Sequence, residues 1–488
     1  MDFDPDAYFY GMTLRYHIAF LFFASILLFA ACDEAPDSPP PSTPIIVSAP
    51  DSAGVDDNVQ LVVSIPHRGQ ENERFTLLID WGDGRQPTEY IRVEALWQFI
   101  ATYSYFDPGD FDIRCRAVDG KGRVSAWSDP SRIRIGGIPL TGRGDWWMYM
   151  RDARHSGHSL LAGPSVPSVL FKQQYLSPIR TSAAFDRSGS MHFGYDGFRL
   201  LVLYADHREK WSYSTGGAQV QSSPLLLDDG TSLFGSNSAN VYAVNRYGIK
   251  IWNRSVNGPI GLSSPAPLPD GGFVVGCTDG RVYAFAGDGT PKWMVITNAR
   301  VSASPAVDDD GTTYIGSEDQ ILYAITPTGA VRWTYSTDAP IIGSASIAAD
   351  GSIVFGNDNG WLHALRKDGR LKWRRDMRHP IRTTPATTRE GRIVCALMNG
   401  DLVSLQLDGS EDWRTSFGLA AAHSSPVIDV HGTAYIGGAD GALSAIDQTG
   451  KLRWRYETDA PITSTPSIGQ RGQLVFGNEK GWLFVLGE

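Results

Sequence analysis

An all-β chain, dominated by repeated four-stranded units and opened by a smaller β-sandwich, is the fold class this sequence predicts, and three observations carry it. Tryptophans recur at Trp211, Trp252, Trp293, Trp333, Trp373, Trp413 and Trp454, always 40 or 41 residues apart. Glycine keeps step with them at Gly194, Gly235, Gly276, Gly316, Gly356, Gly437 and Gly477, with Ala396 as the one substitution. Within each unit, short runs alternate apolar and polar residues between Gly, Asp and Pro turn signals. A fixed period of about 40 residues that holds several short strands is the pattern of a β-propeller blade.

One unit justifies the strand count. After Trp293 come the small-residue run 301–307, an Asp310-Gly311 turn, the run 312–316, a polar turn, the run 321–326, and Thr328-Gly329 before Trp333. Four strands per unit follow. The recurring Gly stands where bulk would meet the neighbouring sheet, and Pro224, Pro265, Pro305, Pro385, Pro426 and Pro466 suit an innermost strand whose missing N–H faces the channel. The tryptophans, each at the same position of its unit, read as wedges between blades rather than as a cofactor stack. Phe171 stands 40 residues before Trp211, so the segment around it occupies an outer-strand position, while the last unit stops after its third strand, 482–486. The two chain ends are therefore expected to complete one blade together, giving an eight-bladed β-propeller over 167–488 with no long open edge.

The chain of 488 residues has ample apolar material for more than one domain, and its net charge of -10, with no basic stripe, argues against nucleic acid as a partner. Residues 1–31 read as a targeting segment: Arg15 and His17 precede the apolar run 18–31, too short for a comfortable span and suited to a signal-peptide core. The sequence Leu28-Phe29-Ala30-Ala31-Cys32 resembles a bacterial lipobox, which implies lipidation at Cys32 and a membrane anchor. The Pro-rich stretch 32–44 is then a tether.

Residues 45–137 read as a β-sandwich, with strands at 60–65, 74–80, 96–105, 111–117 and 133–135. The turn Trp81-Gly82-Asp83-Gly84, followed by Tyr105-Phe106-Asp107-Pro108-Gly109-Asp110-Phe111, resembles the PKD-type, immunoglobulin-like domain, a spacer or contact module. Asp83 is expected to serve its own turn rather than a metal.

The aromatic lead-in 138–166, with Asp145-Trp146-Trp147-Met148-Tyr149-Met150, and repeats such as DDDGTTYIGSEDQILYAITPTGAVRW resemble the PQQ-repeat propellers. That family includes quinoprotein dehydrogenases and the BamB-like lipoproteins of outer-membrane protein assembly. The dehydrogenase likeness implies a quinone, a bound calcium ion, a catalytic Asp and often an adjacent Cys pair. The sequence offers no Cys-Cys pair and no haem motif, and its units are near-uniform in length, so no cofactor, metal or catalytic residue is expected. Cys115, Cys277 and Cys395 are expected to be separate thiols.

One position of the repeat varies: Arg180, Gln221, Leu262, Ser302, Gly343, Arg382, His423 and Thr463 precede the inner strands. On a ring, Arg180, Gln221, Arg382 and His423 would gather at the channel mouth, either as an electropositive site for an anion or acidic peptide, or as arginines satisfied by salt bridges. The functional expectation is a noncatalytic cell-envelope lipoprotein, anchored through Cys32 at the periplasmic face of the outer membrane, with the inner membrane and the cell surface as the alternatives, whose propeller is a scaffold for envelope protein partners. The alternatives are a BamB-like factor working with the outer-membrane assembly machinery, and a PQQ-dependent dehydrogenase.

Overall fold

The computed structural model of the chain describes residues 40–54, 59–66, 74–84, 86–94, 98–103, 105, 109–136, 145–418 and 424–488. The predicted signal segment, Cys32, most of the predicted tether and His423 lie outside them. Two units divide the chain near Gly136, and all regular structure among the described residues is β.

The first unit has two sheets. One runs in the order Ile45–Ser48, Val59–Ser64, Gln98–Tyr103; the other runs Ser52–Gly54, Ser131–Gly136, Gly109–Val118, Arg74–Asp80, Thr88–Glu94. Alternation drives the layering: Val59, Leu61 and Val63 on one sheet and Phe75, Leu77, Ile79, Ile113 and Cys115 on the other are buried. Three strands go unpredicted, and all of them end a sheet: 45–48, 52–54 and 88–94. Their residues give little alternation to read: three of the four residues of Ile45–Ser48 are exposed, and Thr88–Glu94 reads TEYIRVE. The turn differs from expectation in one bond. Asp80, not Asp83, takes the Gly82 N–H (2.9 Å), while Asp83 accepts from the Tyr103 hydroxyl, whose ring stacks on Trp81 at 4.5 Å.

The second unit contains eight four-stranded antiparallel sheets. Sheets 1 to 8 open, in chain order, on inner strands Ala184–Phe185, Leu225–Leu226, Ala266–Pro267, Ala306–Val307, Ser346–Ile347, Ala386–Thr387, Val427–Ile428 and Ser467–Ile468. Sheet 8 takes its fourth strand from Ser168–Gln174, with Phe171 opposite Val485 and Gln174 opposite Trp482. The inner strands are two residues long where a run such as 301–307 suggests seven. Prolines remove ladder donors there, and hydroxyls take over. In sheet 3, Ser263 Oγ accepts the Gly276 N–H of the second strand (2.9 Å), and the Ser264 N–H donates to Ser304 Oγ of sheet 4 (2.9 Å). The same sheet-to-sheet bond joins Ser182 to Ser223, Ser223 to Ser264, Ser304 to Ser344, Thr384 to Ser425 and Ser425 to Thr465. Ser182 Oγ meets Ser467 Oγ of sheet 8 at 2.8 Å. The hydroxyl residue just before each recurring proline, Ser223, Ser264, Ser304, Thr384, Ser425 or Thr465, is therefore an inter-sheet clip.

Packing between sheets explains the repeated Gly. A Cβ on Gly194, Gly235, Gly276, Gly316, Gly356, Gly437 or Gly477 would lie 2.2–2.6 Å from Val220, Ile260, Val301, Ile341, Ile381, Ile462 or Ile179, respectively. Sheet 6 has Ala396 in place of Gly, and the period pairs it with Ala422, which lies outside the described residues.

The tryptophans lie on outer strands. Trp211, Trp293, Trp333, Trp373 and Trp413 each donate the indole N–H to a turn carbonyl of the next sheet at 2.8–2.9 Å, and the ring lies against that turn's left-handed Gly, Gly248 (φ 80°) in the case of Trp211. Where Phe171 replaces Trp, His207 (φ 72°) replaces that Gly, and the two rings stack at 4.8 Å. The exchange is matched on both sides of the contact.

Candidate functional site

The axis of the second unit holds the site. The segments leading into the inner strands present Arg180, Gln221, Leu262, Ser302, Ile342, Gly343 and Arg382 around a pit whose wall is the hydroxyl ring, Ser182, Ser223, Ser264, Ser304, Ser344, Thr384 and Thr465. Because Ser304 bonds Ser344, Ile342 and not Gly343 holds the register position of Arg180 and Arg382. None of the ladder tryptophans lines the pit, and Cys115, Cys277 and Cys395 are buried and unbridged.

The three described members of the predicted mouth set do come together, but their charge is matched. Arg180 grips Glu479 with Nε at 2.9 Å and Nη2 at 2.7 Å and donates Nη1 to Asp196. Gln221 donates to both oxygens of Asp196 at 3.1 and 3.3 Å. Arg382 holds Asp358 through Nε (2.6 Å) and Nη2 (3.0 Å), and Ser302 donates to Glu318 (2.7 Å). The rim carries Asp196, Glu318, Asp358 and Glu479 against Arg180 and Arg382, so it is not an electropositive mouth. Its hydrogen bonds to carboxylates keep both guanidiniums above their ordinary pKa. Burial pushes the Asp196 carboxyl up, opposed by Arg180 and Gln221. The sequence reading missed these carboxylates. Each stands two residues after the repeated Gly or its equivalent, at 196, 318, 358 and 479, a signal that the same period carries.

The other end of the axis is covered by the lead-in. Its backbone visits the inner strands in order: carbonyls of Trp146, Trp147, Ala153, Arg154, Ser156 and Gly157 accept N–H groups of Phe185, Leu226, Val307, Ile347, Thr387 and Ile428 at 2.7–3.0 Å. These belong to sheets 1, 2, 4, 5, 6 and 7. The segment is a collar, and its side chains fill the opening it circles. Trp146, Met148 and Met150 are buried. Tyr149 reaches the hydroxyl ring, bonding Thr384 Oγ1 (2.9 Å) and Ser425 Oγ (3.2 Å). His155, fully buried, sets Nδ1 3.0 Å from the Ala345 carbonyl and its ring edge-on to Tyr149; burial lowers its imidazole to about 4. The pit above Tyr149 has a volume of about 50 Å³.

With this geometry fixed, the chain can be placed among known proteins. Residues 278–416 and 342–481 match the family model PQQ_2, outer membrane protein assembly factor BamB. The repeats across 278–481 are similar to those of that family. Solved structures agree on the fold. BamB from Moraxella catarrhalis superposes with a TM-score of 0.58 at 17% identity, covering 66% of this chain and all of that one. A europium-containing methanol dehydrogenase gives 0.56 at 13% identity over 71% of this chain and 98% of that one. A computationally designed protein, Ika8, gives 0.52 at 14% identity over 68% and 99%. At such identities the likeness is one of β-propeller fold alone. No curated protein matches the chain.

Proposed function

We propose that this chain is a noncatalytic cell-envelope protein, anchored through Cys32, whose eight sheets form one eight-bladed propeller that serves as a docking scaffold in the manner of BamB, with partners in outer-membrane protein assembly. The collar is the observation that carries this reading. It fills one end of the axis, where a buried catalytic centre of this fold would need room.

The methanol dehydrogenase likeness makes a quinone cofactor the second reading to weigh, and the residues do not fit one. A pit of about 50 Å³ holds one or two waters, whereas ligand pockets run to roughly 300–1,000 Å³. Its wall hydroxyls are spent on inter-sheet bonds, and its arginines are already committed to carboxylates. Among the described residues, no group of His, Cys, Asp or Glu is arranged to hold a metal ion.

Affinity purification of the full-length chain from detergent-solubilised membranes tests the scaffold reading, with recovery of an outer-membrane assembly complex expected. Dye reduction after incubation with the quinone and calcium would overturn it.

A further inference from the structure

The collar skips two sheets: sheet 8, beyond its last anchor on sheet 7, and sheet 3, in the middle of its path, where the inner strand's second residue has no N–H to give. Six inner strands donate the N–H of their second residue to the collar. At the corresponding position of sheet 3 stands Pro267, which has no N–H to give. Between its anchor points on sheets 2 and 4, Trp147 and Ala153, the chain turns inward instead. Met150 and Arg151 take φ 52° and 76°, and the Arg151 N–H closes back onto the Met148 carbonyl. The strip of sheet 3 that a collar backbone would cover is thus open, and a cavity of about 620 Å³ occupies it.

The cavity has a two-part chemistry. Its floor is apolar, from Trp147, Leu227, Leu268 and Val307, and its rim carries Asp228, Asp229 and Asp309, with Asp308 below them. Asp308 is buried and paired with Lys367 (2.5 Å), and Arg154, the one cation among the lining residues, reaches Asp309 at 3.4 Å while bonding the Ala348 carbonyl. Carboxylates of the lining face solvent: Asp309 is 83% exposed, and Asp229 is exposed as well.

We propose that this pocket receives a short extended segment of a partner protein, with an apolar side chain on the Trp147–Leu268 floor and a lysine or arginine beside it at the Asp229–Asp309 rim. Polypeptide is the occupant the chemistry favours, because neighbouring side chains of one segment can set an apolar group on the floor and a cation at the rim; Pro267, having no N–H, leaves that segment held by its side chains rather than by a ladder bond to sheet 3. Charge complementarity fixes its sign. The proposal deepens the scaffold reading and rests on it.

The test is calorimetric titration of the full chain with Ac-Gly-Lys-Phe-Lys-Gly-NH2 and with its Glu counterpart, Ac-Gly-Glu-Phe-Glu-Gly-NH2, at millimolar concentration and two ionic strengths. The lysine peptide binds, more weakly at high salt, and the glutamate peptide does not. Asp229→Asn combined with Asp309→Asn changes only rim carboxylates and weakens binding about fivefold, the sum of two modest rim pairs. Leu227→Arg supplies a cation of the chain's own and abolishes binding. Absence of binding by the lysine peptide, equal binding of both peptides, or unchanged affinity in the rim double variant overturns the proposal. Such a failure leaves partner recovery from membranes untouched, whereas quinone-dependent dye reduction would remove the scaffold reading without altering peptide binding.

Discussion

Replacing Gly316 by Ala tests the packing rule that shapes every sheet. The added Cβ would sit 2.2 Å from Ile341 Cγ2 and 2.8 Å from its Cβ. Neither backbone can yield cheaply: Gly316 is paired with Leu322 in its own sheet, and the Ile341 N–H is bonded to the Ser317 carbonyl. Overpacking of this kind costs about 2 kcal/mol. Ile341→Ala alone deletes a fully buried side chain and costs about 3 kcal/mol. In the double variant the clash is gone and the new methyl occupies part of the hole, so the loss should stay near 3 kcal/mol rather than the additive figure of about 5 kcal/mol. That is a coupling of about 2 kcal/mol. Sheet 6 carries the small-small pair in its own sequence, Ala396 with Ala422. Urea unfolding of the four proteins of the cycle, followed by tryptophan fluorescence, measures it. A neutral Gly316→Ala variant, or additive losses, would refute the account.

Acid should weaken the second unit through two buried histidines. His155 and His363 are held near 4 by burial in the folded chain. Their depressed values stabilise the fold above the ordinary histidine pKa of about 6.5, and that contribution is lost as pH falls toward 4, up to roughly 3 kcal/mol for each. Urea midpoints between pH 7 and pH 4.5 should therefore fall, and less steeply in the His155→Gln, His363→Gln double variant. At the seam, Phe171→Trp with His207→Gly restores the contact used by the other sheets and removes a left-handed non-Gly residue (φ 72°). It should stabilise by about 1 kcal/mol, whereas His207→Gly alone loses the ring stack, a difference that the thermal midpoint reads. Tyr149→Phe removes bonds to Thr384 and Ser425 and should cost about 1 kcal/mol without changing partner recovery.

Much of the fold was legible because its rules are local and repeated. The 40-residue period names the blade, the Trp and Gly positions name its contacts, and Phe171 at the missing outer-strand position anticipates the pairing with Val485. A single substitution in such a ladder is readable against the other units. The sandwich edge strands and the two-residue inner strands were less legible, since edge strands lack a full apolar face and the inner ladder is built by serine hydroxyls that no strand pattern records.

The sequence by itself determined which residues stand at equivalent places: Arg180, Gln221 and Arg382 belong to one ring because periodicity alone puts them there. Tertiary structure decided what that ring is. Pairing of Arg180 with both Asp196 and Glu479 joins residues 16 and 299 positions apart, and cancelling their charge is a matter of ångströms that period cannot express. The collar likewise reads in sequence as an aromatic stretch, and Pro267 as one proline among many. That the first skips the second, and so leaves a pocket, follows only when the backbone donors of the inner strands are brought to one end of the axis.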